Sequence, residues 1–206
     1  MELKSTSKLF NYLEIQKVNS FFFNYKLLKM FPQIFNSLNI SNNFLICNLK
    51  KKYMYFFFNF LKKHTNFQFI QLIDLWGIDF LNLNKRFEIN YSLVSLKYNS
   101  RIFVKIPIKE NISLISLTSL YSSSNWLERE VWDMFGIFFS NHNDLRRILT
   151  DYGFEGFPLR KDFPLTGFTE LFFDLEQKRI LYTLTELTQE FRTFNFVNPW
   201  NFNKTK

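Results

Sequence analysis

Apolar and polar residues alternate most cleanly in two stretches near the middle of the chain: Phe87, Ile89, Tyr91 and Leu93, then Ile102, Val104, Ile106 and Ile108. A period of two puts each set on one face, so the pair reads as an antiparallel hairpin with one buried face, turning at Tyr98-Asn99-Ser100. Pro107 lacks an amide hydrogen and belongs at an edge or a strand end. Earlier in the chain, Phe44 to Leu49 and Phe67 to Leu75 read as strands, the second closed by Trp76-Gly77. Helical spacing takes over elsewhere. From Asn24, the positions Leu27, Leu28, Phe31, Ile34, Phe35 and Leu38 predict a helix that Pro32 kinks or ends. A second amphipathic helix follows Lys50 to Lys52 and runs to about Lys63, where His64-Thr65-Asn66 turns out of it. A third spans Ser116 to Phe135, with Leu127, Val131 and Met134 on one face.

After Gly136 the periodic pattern stops. Gly153, Gly156, Pro158 and Pro164 prevent any long regular element, yet the stretch stays rich in large apolar residues, so packing must order it. A short hairpin, Glu170 to Leu175 and Arg179 to Leu184, follows. The sum is an α+β fold: helices packed on a small, largely antiparallel sheet, then an extended irregular carboxyl-terminal arm. In residue ranges, 1–23 is an extension without an assigned role, 24–139 the α+β domain, and 140–206 the arm with its hairpin, docking on partner subunits.

Composition adds two restrictions. The chain has 206 residues, 29 phenylalanines and no alanine. Alanine is the best helix former, so folding does not purge it; an AT-rich coding bias, of the kind found in organellar genomes, does. The single cysteine, Cys47, excludes an internal disulfide and a cysteine-ligated cluster or zinc site, and only His64 and His142 could supplement it. Any redox centre therefore belongs to a partner. Within Phe44-Leu45-Ile46-Cys47 the thiol reads as a small buried group.

The net charge of +8 sits in the first half of the chain: residues 1–110 hold 16 basic and 6 acidic side chains, and 111–206 hold 10 and 12. The basic half admits an acidic partner, nucleic acid or an anionic membrane surface, or simply solvated lysines. No segment reads as a membrane span. Residues 30–49 are uncharged but too polar, and 53–61 are too short. The amino terminus has the character of neither a transit peptide nor a secretion signal, which predicts synthesis inside the organelle if the protein works in one.

Candidate chemistry concentrates in 125–165. Glu128, Glu130 and Asp133 could form an acid/base set, but Arg129 and Asp133 are four residues apart on a helix and can pair, which favours a structural role. His142 with Asp144 lacks a serine or cysteine in a nucleophile context and reads as a turn histidine satisfied by backbone. Gly153-Phe154-Glu155-Gly156 lacks the lysine and the strand-to-helix setting of a phosphate loop. Arg146, Arg147, Arg160 and Lys161 stand close to Asp144, Asp151, Glu155 and Asp162, and guanidinium forks hold carboxylates bidentately. The balance of signs argues against a phosphate-backbone groove. The reading is a charge lattice that locks the arm into shape or onto a neighbour; isolated surface ion pairs are the alternative.

Trp126 to Ile137 (WLEREVWDMFGI), His142 to Phe154, Pro158 to Leu165 (PLRKDFPL) and Gln189 to Trp200 together closely resemble the thirty-kilodalton subunit family of respiratory complex I, whose mitochondrially encoded members are called subunit nine. Weaker similarity reaches back to about residue 44. Asn143 stands where that family usually has proline, and Phe157 where it usually has histidine. The resemblance implies a non-catalytic α+β subunit of the peripheral arm of NADH:ubiquinone oxidoreductase, on the matrix side of the mitochondrial inner membrane. It implies a place beside the large subunit that helps form the quinone pocket, no cofactor in this chain, FMN and iron–sulfur clusters in partner subunits, and no nucleic-acid partner. The assembly role then falls on Trp126, Glu128, Arg129, Glu130, Asp133, His142, Asp144, Arg146, Arg147, Asp151, Arg160, Lys161 and Asp162. The competing readings are an organellar RNA-binding or ribosomal protein, from the basic first half, and a carboxylate hydrolase, from Glu128 and Glu130.

Overall fold

The two alternating stretches form adjacent strands of a five-stranded sheet in the computed structural model, which describes residues 30–41, 44–192 and 194. The sheet comprises β1 (Phe35–Ser41), β2 (Phe44–Leu49), β3 (Gln71–Asp79), β4 (Phe87–Ser95) and β5 (Ser100–Ile108), in the spatial order β1-β2-β5-β4-β3. Three of its ladders are antiparallel, and β2 runs parallel to β5 with Cys47 opposite Val104. Leu45, Cys47 and Leu49 of β2, Ile89, Tyr91 and Leu93 of β4, and Ile102, Val104 and Ile106 of β5 are all buried. These alternate positions line one face, as the period-two pattern requires.

Two helices cover that face. Helix α1 (Met54–Lys63) buries Met54, Phe57, Phe58 and Leu61, and sets Phe58 edge-on to Tyr91 at 4.8 Å. Helix α2 (Ser124–Phe135) brings Phe135 edge-on to Phe87 and ends at Gly136, whose φ of +73° is a left-handed cap that glycine adopts without strain. Phe135 also lies over Gly77, where an added Cβ would stand 2.9 Å from the ring. A two-residue parallel ladder, β6 (Leu114–Ile115) with β7 (Phe139–Ser140), ties the approach to α2 to its exit.

Several sequence expectations need correction. The helix expected from Asn24 to Leu38 lies partly outside the described residues, and from Phe35 onward the chain is β1. Leu38 and Ile40 also fit a period of two, and pairing with β2 overrides the helical reading. The strand placed at Phe67–Leu75 begins at Gln71, because Gln68 has a φ of 44° that breaks an extended path between the buried Phe67 and Phe69. Trp76 and Gly77 lie within that strand and do not close it. The third helix starts at Ser124 and not at Ser116: Ser116 bonds Thr118 and Glu128, and Ser123 bonds the Leu72 carbonyl, an alternative to the helix that such side chains offer. Pro107 sits near the end of a central strand, beyond the last β2 partner, Lys105.

The chain divides into two compact units, 1–163 and 164–206. Residues 140–163, which the sequence reading placed in the arm, group with the first unit. The second unit holds a hairpin, β8 (Thr169–Asp174) and β9 (Arg179–Leu184), with Phe173 opposite Ile180 and Leu171 opposite Tyr182. No helix among the described residues is long and apolar enough to cross a membrane.

Candidate functional site

Helix α2 is the backbone of the charged site. Its spacing turns Glu128, Val131 and Phe135 inward, so a carboxylate enters the core. Glu128 is fully buried and accepts the Leu117 amide at 2.8 Å, the Ser116 hydroxyl at 2.6 Å and the Ser124 hydroxyl. The buried His142 ring lies 3.8 Å away, with Nε2 against the Asn125 carbonyl at 3.1 Å and Nδ1 accepting the Asp144 amide. Burial raises the Glu128 pKa above the ordinary glutamate value, and the three donors and His142 only partly oppose it. His142 is thus a turn histidine satisfied mainly by backbone.

Asp133, also fully buried, organises the irregular segment. One of its oxygens accepts the consecutive amides of Ile148, Leu149 and Thr150 at 3.1, 2.7 and 2.9 Å, while the other accepts the Thr150 hydroxyl at 2.6 Å. Burial alone would raise its pKa, but the hydroxyl and the three amides together hold it below the ordinary aspartate range. Arg147 approaches the same carboxylate at 3.6 Å, donates to Thr150 and to the Gly156 carbonyl, and stacks over Phe154 and Phe157. Arg129 does not pair with Asp133 as its spacing suggested; it donates to the carbonyls of Arg146 and Arg147 and lies over the exposed ring of Trp126. Glu130 is half-buried and forms no ion pair among the described residues.

A second hub fixes the end of the segment. Arg86 grips Asp79 with two N–H groups, at 2.9 and 3.0 Å, and also reaches Asp162 at 2.8 Å and Glu110 at 3.2 Å. Arg160 donates to Glu110 and to the Phe135 carbonyl, both at 2.7 Å, and lies over Phe87 and Phe157. The backbone amide of Lys161 bonds Asp79 at 2.9 Å, leaving its ammonium exposed. Burial opposes ionisation of Asp79, but Arg86 and the Lys161 amide outweigh it and lower its pKa. Arg86 likewise lowers that of Asp162.

The expected local lattice is therefore only partly local. Arg146 pairs with Asp144 at 2.7 Å on the surface, whereas Arg147 and Arg160 find Asp133 and Glu110, and Asp162 finds Arg86. Asp151 caps its own turn through the Tyr152 amide, and Glu155 is exposed without an ion pair among the described residues. Asp79, Arg86, Glu110, Ser116 and Ser124 are site residues that sequence spacing did not identify. One signal was available: Asp79 and Arg86 bracket the loop between two strands, where opposite charges meet across the neck.

Among the described residues no group of three His, Cys, Asp or Glu side chains is placed to hold a metal ion. What the geometry does is fasten: carboxylates from rigid elements take up the amides and guanidiniums of residues 140–163.

Comparison with known proteins shows the family. Residues 47–169 match the family described as respiratory-chain NADH dehydrogenase, 30 kDa subunit. The chain is 50% identical over 187 residues to NADH-ubiquinone oxidoreductase subunit 9 of Reclinomonas americana, covering 90% of this chain and 92% of that protein. It is 52% identical over 148 residues to NADH dehydrogenase [ubiquinone] iron-sulfur protein 3 of Arabidopsis thaliana, covering 72% of this chain and 78% of that one. A chain of the membrane-bound sulfane sulfur reductase, an archaeal respiratory membrane complex, shares the fold at a TM-score of 0.58 and 20% identity, over 68% of this chain and 83% of its own. The match to the family runs from within β2 through β3 to β5, both helices and the whole fastened segment, and the chain belongs to the respiratory-chain NADH dehydrogenase 30 kDa subunit family.

Proposed function

We infer that this chain is a structural subunit of the quinone-reducing module in the peripheral arm of NADH:ubiquinone oxidoreductase, and that it works at the mitochondrial inner membrane on the matrix side. Its part is adhesive: it supports electron transfer from NADH to ubiquinone by holding the module together. The observation that carries this reading is the hairpin of the second unit. Leu171, Phe173, Ile180, Tyr182 and Leu184 lie on one of its faces, with exposures from 51% to 77%, while the other face mixes Glu170, Asp174 and Arg179 with Phe172 and Leu181. A lone two-stranded hairpin is marginal in water, and a continuous exposed apolar face marks an interface. The occupant we assign is another peripheral-arm subunit, the large one that helps form the quinone pocket.

No redox centre is assigned to this chain. Plant relatives carry iron–sulfur in their names, but a cluster needs several thiolates and Cys47 is the sole cysteine, buried, its pKa raised by burial. The residues do not fit a cysteine-ligated cluster, which supports placing the iron–sulfur clusters in partner subunits; on the same reading of the chain as a structural subunit, FMN too is assigned to a partner. Nor does the site suit a phosphate backbone, because Arg86, Arg147 and Arg160 are already committed to carboxylates and carbonyls. The hydrolase reading fails on Glu128, which is sealed from solvent.

Replacing Leu171 and Ile180 together with aspartate tests the docking face. The expected outcome is a lower amount of assembled complex on native gels, with this chain recovered outside it. Full assembly of the double variant would contradict the reading.

A further inference from the structure

The Arg86 hub gathers more than its own charges. Three loops meet at this end of the sheet: the β3–β4 loop, the turn after β5 and the segment approaching Phe163. Lys85, Lys109 and Lys161 each stand one residue from a hub member, are exposed, and form no ion pair among the described residues. The carboxylates nearby, Asp79, Glu110 and Asp162, are all taken by Arg86 and Arg160. The same loops expose Phe80, Leu81, Leu83, Ile112 and Leu159, with Leu83 at 58%. Phe80 and Leu83 are held in a tight turn, the Leu83 amide bonding the Phe80 carbonyl at 3.1 Å and the Phe80 amide the Arg86 carbonyl at 2.7 Å. The apolar groups are therefore presented on a fixed loop.

We propose that this end of the sheet is a second docking surface, distinct from the hairpin, for a protein partner whose contact face carries Asp or Glu side chains around an apolar patch. The argument is charge complementarity. Three ammonium groups that form no ion pair among the described residues share these loops with exposed leucines, and a partner supplying carboxylates and apolar contacts satisfies both at once. The rigid hub beneath keeps the surface pre-formed, so little ordering is lost on binding. The proposal rests on the reading of this chain as a subunit of a larger complex.

The test uses the intact complex. Zero-length carbodiimide coupling should join Lys85, Lys109 or Lys161 to an acidic residue of another subunit, and an amine reagent should label these lysines far more slowly in the native complex than after denaturation. Native labelling equal to that of the denatured complex would overturn the proposal. So would protection that exists only in vesicle-embedded complex, vanishes in detergent and comes without a carboxylate cross-link, since that marks an anionic lipid surface as the occupant. A companion variant, K85E/K109E/K161E, should lose the cross-linked partner while this chain stays in the complex; a variant complex that keeps every subunit at full occupancy counts against the proposal. Loss of this chain from the complex in the unaltered protein would instead strike at the subunit reading itself, so the two failures are distinguishable.

Discussion

Two buried carboxylates on one helix titrate in opposite senses, and the difference follows from what each touches. Asp133 holds three amides and a hydroxyl, so its ionised form is favoured in the fold and its pKa is lowered. Its contribution to stability is present above the unfolded value, about 3.9, and is lost as pH falls through the lower folded value. Asp133→Ala leaves three part-buried amides and the Thr150 hydroxyl without their acceptor and should lower unfolding free energy by roughly 2 kcal/mol in denaturant titration of the purified chain. A change within about 0.5 kcal/mol would contradict the assigned role. Glu128 is the reverse case. Burial raises its pKa, so the fold disfavours the ionised form, and stability from this group is greatest below the ordinary value of about 4.3 and declines as pH rises through the folded value. Glu128→Gln removes the charge; its carbonyl oxygen still accepts from the Leu117 amide and the Ser124 hydroxyl, while its NH2 takes the place of the oxygen facing Ser116, whose hydroxyl then accepts. Its stability relative to the unaltered chain should rise as pH increases from about 4 toward neutrality, as thermal melts across that range would record. A flat difference would show that ionisation of Glu128 is not penalised.

At the level of elements, the sheet-to-helix contact turns on Gly77, where any Cβ would meet the Phe135 ring at 2.9 Å. Gly77→Ala should cost about 1–3 kcal/mol by overpacking, and Phe135→Leu in the same chain should recover part of that loss. Strictly additive effects in the double variant would rule out this contact as the cause. The elements most legible in the sequence were those whose partners lie nearby. The β4–β5 pair follows from alternation over a few residues, while β2 and the hairpin of Arg179 to Leu184 follow from short apolar runs beside turn residues, and the strand Phe44–Leu49 is matched residue for residue. Misreadings arose where distant contacts decided the outcome. Phe35 to Ser41 admits two periods, and only β2 selects between them; Ser116 to Ser123 resembles the start of a helix until Glu128 draws its polar groups away. The site shows the same division. Asp144 with Arg146 was visible because the two are neighbours, while Glu110 with Arg160 spans fifty positions that no spacing rule bridges.

For the whole molecule, the net charge of +8 is spread over lysines and over arginines that are already engaged. Arg86, Arg147 and Arg160 at the centre of the site are engaged within the chain, while the lysines beside Arg86 form no ion pair among the described residues. The unit ending at Phe163 carries its own core, and the second unit exposes an apolar hairpin face with no covering layer of its own. Both features suit a chain whose purpose is attachment. The most direct test is Arg147→Ala in the native complex, which removes the guanidinium that ties Gly156 and Thr150 to Asp133. Measured side by side, the quantity of assembled complex should fall while electron transfer to quinone per assembled complex stays unchanged. A normal quantity of complex with a slowed quinone step would contradict the account.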